Sequence, residues 1–167
     1  MRVSAKADYA VRAAAELAAT EGTGPLKAER IADAQEIPIK FLETILLELK
    51  HAGIVRSQRG PEGGYSLARP GSTISIADVI RAVDGPLANV RGDRPENITY
   101  QGAARSLTDV WIAVRAALRE ILESTSLADL REGNLPPRVA ELAGDPEAWV
   151  SLGRIRGAPG ATTPRVS

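Results

Sequence analysis

The stretch Ile37–Arg69, IPIKFLETILLELKHAGIVRSQRGPEGGYSLAR, decides the fold of this chain. Its first half predicts a helix, because Pro38 has the φ angle that a first helical position requires. Apolar residues then recur at the i, i+3, i+4, i+7 spacing of a buried helical stripe, at Leu42, Ile45, Leu46 and Leu49. Gly53 follows the stripe and is a typical helix stop. We therefore expect one helix that buries this apolar face.

The second half of the stretch has the pattern of a β-hairpin. Two runs of β-prone residues, 54–59 and 65–69, flank the glycine-rich segment 60–64, whose composition suits a turn. From Lys50 to Arg69 there are four Lys or Arg residues and one Glu, so the segment is locally basic. A helix followed by a two-stranded wing is a DNA-reading shape, although a solvated charged face is the commoner explanation of such a charge balance.

The residues before this stretch predict two further helices. Ser4 suits the N-cap of an alanine-rich helix from Ala5 to Thr20. A shorter helix is expected within Leu26–Gln35, and it ends before Pro38 because the residue that precedes a proline avoids the α conformation. A short helix, a brief turn and a longer helix form the helix-turn-helix plan, in which the second helix enters the major groove.

A capping-box pattern marks the helix that follows the wing. Ser75 and Asp78 have the required spacing before an apolar run, and Gly85-Pro86 ends that helix. We therefore place a winged helix-turn-helix DNA-binding domain at residues 1–86.

A segment without helical or strand periodicity, residues 87–102, precedes the widest apolar stripe of the chain. The stripe predicts a long helix from Ala103 to about Ser124, with apolar residues at Leu107, Val110, Trp111, Val114, Leu118, Ile121 and Leu122. A helix of ~22 residues spans ~33 Å, which is longer than the small N-terminal unit can readily cover. This pattern fits pairing with the same helix of a second subunit. It also fits burial of the helix within one subunit.

The remaining residues predict less structure. Residues 103–130 comprise the long helix and a short helix near Ser126–Leu130, and residues 131–167 form a C-terminal extension. Short helical pieces are expected at 138–142 and 145–152, and residues 153–167 have the composition of a disordered segment.

The composition of the whole chain limits the classes of function. Its 167 residues leave room for one domain or for one domain with an appendage. Lys plus Arg equals Asp plus Glu at 21 each, so the net charge gives no support to nucleic-acid binding. Without cysteine there are no thiolate sites, and one histidine with no phosphate-cradle or zinc-protease motif argues against an enzyme. No signal sequence or membrane span is evident, so we expect a cytoplasmic protein.

Three stretches together resemble a known family. KADYAVRAAAELA, IADAQEIPIKFLETILLELKHAGIVRSQRGPEGGYSLAR and ISIADVIRAVDGP are similar to the bacterial winged-helix regulators (Rrf-type) that include IscR, NsrR and CymR, over roughly residues 1–130. The resemblance implies a mainly α fold in which each subunit of a homodimer carries a winged helix-turn-helix with a two-stranded β wing. The long C-terminal helices would cross at the dimer interface. It also implies a transcriptional regulator of double-stranded DNA, which we expect to be a repressor on a palindromic operator.

The sensor-type loop at residues 87–102 departs from the family pattern. Members that sense redox state or nitric oxide generally hold a two-iron two-sulfur cluster with three cysteines before the dimer helix, and this loop has none. Asp8 lies where some relatives supply an acidic ligand, but one carboxylate without thiolates cannot hold such a cluster. We interpret Asp8 as a first-turn acid that interacts with the helix dipole, and we predict a member without cofactor or metal. The alternative is an engineered protein in which cysteine ligands were replaced by alanine, for example at Ala103 or Ala104.

Eight exposed residues are predicted to contact DNA. In the predicted helix between Pro38 and Gly53, here called the reading helix, Glu43 can accept from a cytosine amino group, and Thr44 can meet a thymine methyl or a phosphate. Lys40 and Lys50 can neutralise phosphates. In the wing, Arg59 can enter a narrow minor groove beside small residues that let the backbone approach DNA. The wing candidates are Ser57, Gln58, Arg59 and Gly60.

A possible effector site flanks the cysteine-free loop. Tyr100 and Trp111 could line a pocket with Arg91 and Arg94, although core packing of Trp111 and surface exposure of the arginines are the simpler explanations. Control by a small molecule or a protein partner, with interaction rather than autonomous sensing as the main role, is therefore the alternative function. His51, at the end of the reading helix, suits helix capping or a phosphate contact better than catalysis.

Overall fold

The computed structural model describes residues 2–151. The chain divides into two compact units, of which the first ends at Pro136 and the second begins at Pro137. The predicted segments 1–86, 87–102 and 103–130 all lie within the first unit. The expectation for residues 153–167 lies outside the described residues. None of the helices within residues 2–151 has the length and apolar character needed to cross a membrane.

The first unit is mainly helical and carries one hairpin. Strands β1 (Val55–Gln58) and β2 (Gly64–Leu67) pair antiparallel, with Val55 opposite Leu67 and Gln58 opposite Gly64. This arrangement confirms the predicted mainly α winged helix-turn-helix with a two-stranded wing. The helices of the unit are α1 (Ala5–Ala19), α2 (Ala28–Gln35), α3 (Ile39–His51), α4 (Ile76–Asp84), α5 (Leu107–Ser124) and α6 (Leu127–Glu132).

Local sequence signals account for the helix ends. The hydroxyl of Ser4 accepts a backbone N–H of α1 at 2.9 Å, and Ser75 and Asp78 form the predicted capping box before α4. Gly53 follows α3 with φ of 72°, a conformation that glycine adopts at little cost. Pro38 is the N-cap of α3 rather than its first helical residue, so the helix begins one residue later than predicted.

Helix α1 lies at the centre of the core. It contacts α2, α3, α4, α6 and β2, and its small alanine side chains let these elements approach closely. The large side chains come from its neighbours, and Leu42, Ile45, Leu46 and Leu49 of α3 are all fully buried, which confirms the predicted stripe. The buried residues of α1 are Ala7, Ala10, Ala13, Ala14, Leu17 and Ala18.

The end of the first unit is tied back to α4. Two backbone hydrogen bonds of 2.9 Å join the start of α4 to the start of α6, and they form an antiparallel bridge between Ser75 and Ser126. Leu127 is fully buried in the same core as α1. Helix α6 is therefore part of the body that holds the winged helix.

The predicted irregular loop, residues 87–102, is anchored rather than extended into solvent. Leu87, Pro95 and Ile98 are buried, and Pro95–Asn97 form a short 3-10 turn. Helix α5 begins at Leu107, later than predicted, because residues 102–104 form a separate 3-10 turn.

The second unit carries α7 (Pro137–Gly144) and a 3-10 turn at Pro146–Trp149. The indole N–H of Trp149 donates to the carbonyl of Ala143 at 2.7 Å. Both elements fall where short helical pieces were predicted.

Candidate nucleic-acid interface

The side of α3 opposite its buried stripe is exposed. Lys40, Glu43, Thr44 and Lys50 all lie on this side, together with Leu47, which is 52% exposed. A carboxylate oxygen of Glu43 lies 3.4 Å from the Lys40 ammonium, and the Thr44 hydroxyl donates to the Lys40 carbonyl at 3.3 Å. Ion pairs this exposed contribute little to stability, so Lys40 and Glu43 can exchange their mutual contact for contacts with DNA.

A side-chain hydrogen bond holds the wing against the end of α3. The Lys50 ammonium donates to the Ser57 hydroxyl at 2.7 Å, and the Arg56 guanidinium donates to the Ser66 hydroxyl at 3.0 Å across the hairpin. The predicted wing residues Ser57, Gln58, Arg59 and Gly60 are all exposed. The Arg59 side chain has no hydrogen bond or ion pair with any residue between 2 and 151, so its donors are available to a ligand.

Two wing glycines are required by crowding within the protein. A Cβ at Gly64 would lie 2.6 Å from the Leu26 carbonyl oxygen, and one at Gly63 would lie 2.3 Å from the carbonyl oxygen of Gln58 at the end of β1. Leu26 and Tyr65 exchange two backbone hydrogen bonds of 2.8 Å, so β2 also pairs with the residues before α2. The approach of DNA was the expected reason for small residues here, but only at Gly60 would a Cβ meet open space.

Asp8 belongs to a set of contacts that joins α1 to the helix-turn-helix. It lies in the first turn of α1, as predicted, and its carboxylate is 3.1 Å from the guanidinium of Arg12. Arg12 in turn lies 4.7 Å above the Tyr9 ring and donates to the carbonyl of Gln35 at 2.8 Å. The Tyr9 ring meets Phe41 of α3 edge to face at 5.5 Å. The surroundings of Asp8 are thus those of a structural residue.

The predicted effector residues do not share one cavity. The Trp111 indole donates to the Tyr100 hydroxyl at 3.1 Å, which joins α5 to the loop. Arg94 lines a cavity of about 370 Å³ between α4, the loop and α5, whereas Arg91, Tyr100 and Trp111 do not line it. Arg91 is exposed and adopts φ of 54°.

Three arginines that the sequence did not single out also line this cavity. Arg81 comes from α4, and Arg115 and Arg119 come from α5. Arg81 is far along the chain from Arg115 and Arg119, and the packing of α5 against α4 brings it near them, so no local sequence pattern marks the three as a group.

The family model for Rrf2, described as an iron-dependent transcriptional regulator, matches residues 3–133. The chain belongs to the Rrf2 family of transcriptional regulators. This match confirms the family resemblance carried by the reading helix, the wing and α4. It also confirms that the chain is a transcriptional regulator rather than an enzyme.

Individual Rrf2 relatives match most of the chain. It is 53% identical over 151 residues to a candidate HTH-type transcriptional regulator of Mycobacterium tuberculosis, which covers 90% of this chain and 94% of the relative. It is 36% identical over 130 residues to the HTH-type transcriptional regulator CymR of Bacillus subtilis, covering 78% of this chain and 89% of CymR.

Solved structures of Rrf2 regulators share the fold. The structure of CymR, the global cysteine regulator of B. subtilis, matches with a TM-score of 0.69 at 31% identity, covering 80% of this chain and 98% of CymR. That of IscR from T. potens matches with a TM-score of 0.66 at 32% identity, covering 80% of this chain and 88% of IscR.

The iron dependence named for the family does not match the donor set of this chain. Iron–sulfur clusters are held by several thiolate ligands, with imidazoles replacing some of them in certain centres. The chain has no cysteine, and its one histidine, His51, is the last residue of α3. Between residues 2 and 151, no three His, Asp or Glu side chains are grouped so that they could hold a metal ion. The residues present therefore do not fit an iron–sulfur cluster.

Proposed function

We propose that this Rrf2 regulator is a homodimeric, sequence-specific DNA-binding repressor that acts on a palindromic operator without an iron–sulfur cluster. Its place of action would be the cytoplasm, at the nucleoid. The observation that carries the proposal is the exposed side of α3, held next to a wing that presents the unpaired Arg59. Lys40, Glu43 and Thr44 offer a cation, an acceptor and a hydroxyl with a methyl group, which suit phosphates and base edges in a major groove.

The outer side of α5 supports the homodimer. No residue of α5 is fully buried, although one side of the helix packs against α4 and the loop. The other side carries an apolar strip, here called the α5 outer strip, in which Val110 is 50% exposed. The same helix of a second subunit would cover this strip and relate the two reading helices by a two-fold axis, as a palindromic operator requires. The strip consists of Val110, Ala113, Val114, Ala117 and Ile121.

Genome-wide mapping of the DNA bound by this protein tests the regulator proposal. We expect discrete sites that contain two inverted half-sites, whose centres are separated by roughly one helical turn or a multiple of it. Uniform recovery of DNA fragments from the whole genome would contradict sequence-specific binding. Transcripts beside the bound sites should rise when the gene for this protein is deleted, and a fall at those sites would contradict repression.

Metal analysis of anaerobically purified protein tests the absence of a cluster. The protein should contain neither iron nor acid-labile sulfide in stoichiometric amounts, and it should lack visible charge-transfer absorption. Stoichiometric iron with sulfide would contradict this part of the proposal.

A second candidate function, regulation through a bound small molecule, is favoured by the arginine-lined cavity around Arg94. It is compatible with DNA binding by α3 and the wing.

A further inference from the structure

The cavity at the junction of α4, the loop and α5 has an unusual lining. Four arginines face its volume of about 370 Å³, with Glu96 as the lining carboxylate. This volume is in the range of sites that bind small molecules. Arg81 comes from α4, Arg94 from the loop, and Arg115 and Arg119 from α5.

Two carboxylates only partly neutralise the four arginines. Glu123 pairs with Arg81 and, at 2.9 Å, with Arg119. Glu96 pairs with Arg115 at 2.5 Å. The Arg94 side chain makes no hydrogen bond within residues 2–151, and it is exposed.

Both carboxylates are ionised at neutral pH. Hydrogen bonds from its own backbone N–H and from Arg115 hold the pKa of Glu96 below 4.5. Hydrogen bonds from Arg81 and Arg119 likewise hold the pKa of Glu123 below 4.5. Since arginine stays protonated, four positive charges face two negative charges at this site. A ligand that matches the difference carries at least two negative charges.

We propose that this cavity binds a small anion bearing two or more negative charges on phosphate or carboxylate groups, and that this anion is an effector of the regulator. A guanidinium presents a planar fork of donors that matches two oxygens of either group. Arg94 can bind such a ligand without first breaking a hydrogen bond to another residue between 2 and 151. Arg119 and Arg81 would exchange Glu123 for the ligand.

The position of the cavity indicates how the anion acts. It would bridge arginines of α4 to arginines of α5 and so fix the angle between the winged helix and the α5 outer strip. In the proposed dimer, that angle sets the distance between the two α3 helices. If the anion binds more tightly when α4 and α5 are at one angle than at another, it shifts the protein toward the first angle. The change in DNA affinity can then be no larger than the ratio of the two anion affinities. This consequence rests on the proposed function, whereas anion binding itself does not.

Thermal unfolding and calorimetry of the full chain test the site without DNA. The probes are inorganic pyrophosphate and succinate, each compared with sodium chloride at equal ionic strength, and they distinguish phosphate from carboxylate recognition. At least one probe should raise the unfolding temperature with concentration, because a ligand that binds the folded state stabilises it. No shift with either probe would overturn the proposal.

Matched variants test the location of the site. Arg94→Gln should weaken binding of the active probe at least tenfold, whereas Arg91→Gln, in the same loop but outside the cavity, should bind as the wild type does. Both side chains are exposed, so neither variant should fail to fold. Equal affinities of the two variants would overturn the assignment to this cavity.

Removal of a competing carboxylate gives a result that a purely structural role would not produce. Glu123→Gln releases Arg81 and Arg119 and should tighten binding of the probe several-fold, while unchanged or weaker binding would contradict the proposed exchange. Arg59→Ala should bind the probe normally, since the wing is not part of the cavity. Loss of anion affinity in that variant would indicate general charge attraction and overturn the site, whereas loss of its DNA affinity alone bears only on the proposed function.

Discussion

Lys50 at the end of α3 donates a 2.7 Å hydrogen bond to the Ser57 hydroxyl in β1, so one side-chain contact joins the reading helix to the wing. Both residues are exposed. The ammonium of a lysine has three donors, so Lys50 can keep this bond and also contact a phosphate. The bond thereby couples the position of the wing to a charge in the proposed DNA interface.

Substitutions at Lys50 and Ser57 distinguish the effect of the Lys50 charge from the effect of the wing's orientation. Lys50→Gln should lower DNA affinity and reduce the slope of log affinity against log salt concentration by about one, because one phosphate contact is lost. Ser57→Ala keeps the charge, so it should weaken binding only a few-fold and leave the slope unchanged. Anisotropy titrations at several salt concentrations measure both quantities. A wild-type slope in Lys50→Gln would contradict a phosphate contact.

The wing should be sensitive to any side chain at Gly64. Gly64→Ala would place a Cβ 2.6 Å from the Leu26 carbonyl oxygen in a residue with φ of 150°, so the backbone of β2 must move. Gly60→Ala has an unfavourable φ but open space, and it should lower the free energy of unfolding by about 1–3 kcal/mol. We expect the larger loss for Gly64→Ala in urea unfolding. Equal losses would show that the Leu26 contact does not limit this position.

The α5 outer strip should govern the oligomeric state. Ala117→Glu would bury a charge in the proposed helix pair, so the protein should elute as a monomer in size-exclusion chromatography with light scattering. Ala116→Glu is the matched control, because Ala116 is exposed on the same helix but lies outside the strip. Neither substitution should prevent the single subunit from folding, so both variants should show a cooperative unfolding transition. A dimeric Ala117→Glu, or a monomeric wild type at micromolar concentration, would contradict the proposed interface.

The capping box of α6 should make a pH-dependent contribution to stability. Hydrogen bonds from the backbone N–H and hydroxyl of Ser126 hold the pKa of Asp129 below 3.8. A carboxyl with a lowered pKa stabilises the fold fully above its unfolded pKa of about 3.9, and that contribution is lost as the pH falls through the lower folded value. Asp129→Asn should therefore cost about 0.5–1 kcal/mol of unfolding free energy at pH 7.

The pH profile checks this assignment. The deficit of Asp129→Asn in urea unfolding should be constant above about pH 5 and should shrink below about pH 4. Asp33→Asn, at an exposed aspartate of α2, should match the wild type throughout. A deficit that grows on acidification would have the wrong sign for a lowered pKa.

Features that depend on neighbours in sequence were predictable. The buried stripe from Leu42 to Leu49 follows from helical spacing, and the Ser75–Asp78 box follows from the short reach of its side chains. The wing followed from two β-prone runs around glycines. The function of these elements as parts of one transcriptional regulator was indicated by the family resemblance.

Features that depend on contacts between distant residues were not predictable. The pairing of Leu26 with Tyr65 adds a constraint on Gly64 that no local pattern reveals. The cavity joins Arg81 to Arg119 because α5 packs against α4, and an isolated arginine on either helix reads as a solvated charge. The central role of α1 was also hidden, since its alanines bury their surface without forming a strongly apolar stripe.

The most direct test of the regulator proposal is a salt-dependent titration of the full chain against a duplex from the region upstream of its own gene. Affinity should fall steeply with salt, because bound phosphates release counterions. Arg59→Ala should bind roughly ten- to a hundredfold more weakly at each salt concentration with an unchanged unfolding temperature, as expected for loss of about 1–3 kcal/mol of contact energy. Arg105→Ala, at an exposed arginine away from the wing, should bind as the wild type does. A wild type without salt-sensitive affinity, or an Arg59→Ala variant that binds equally well, would contradict the account.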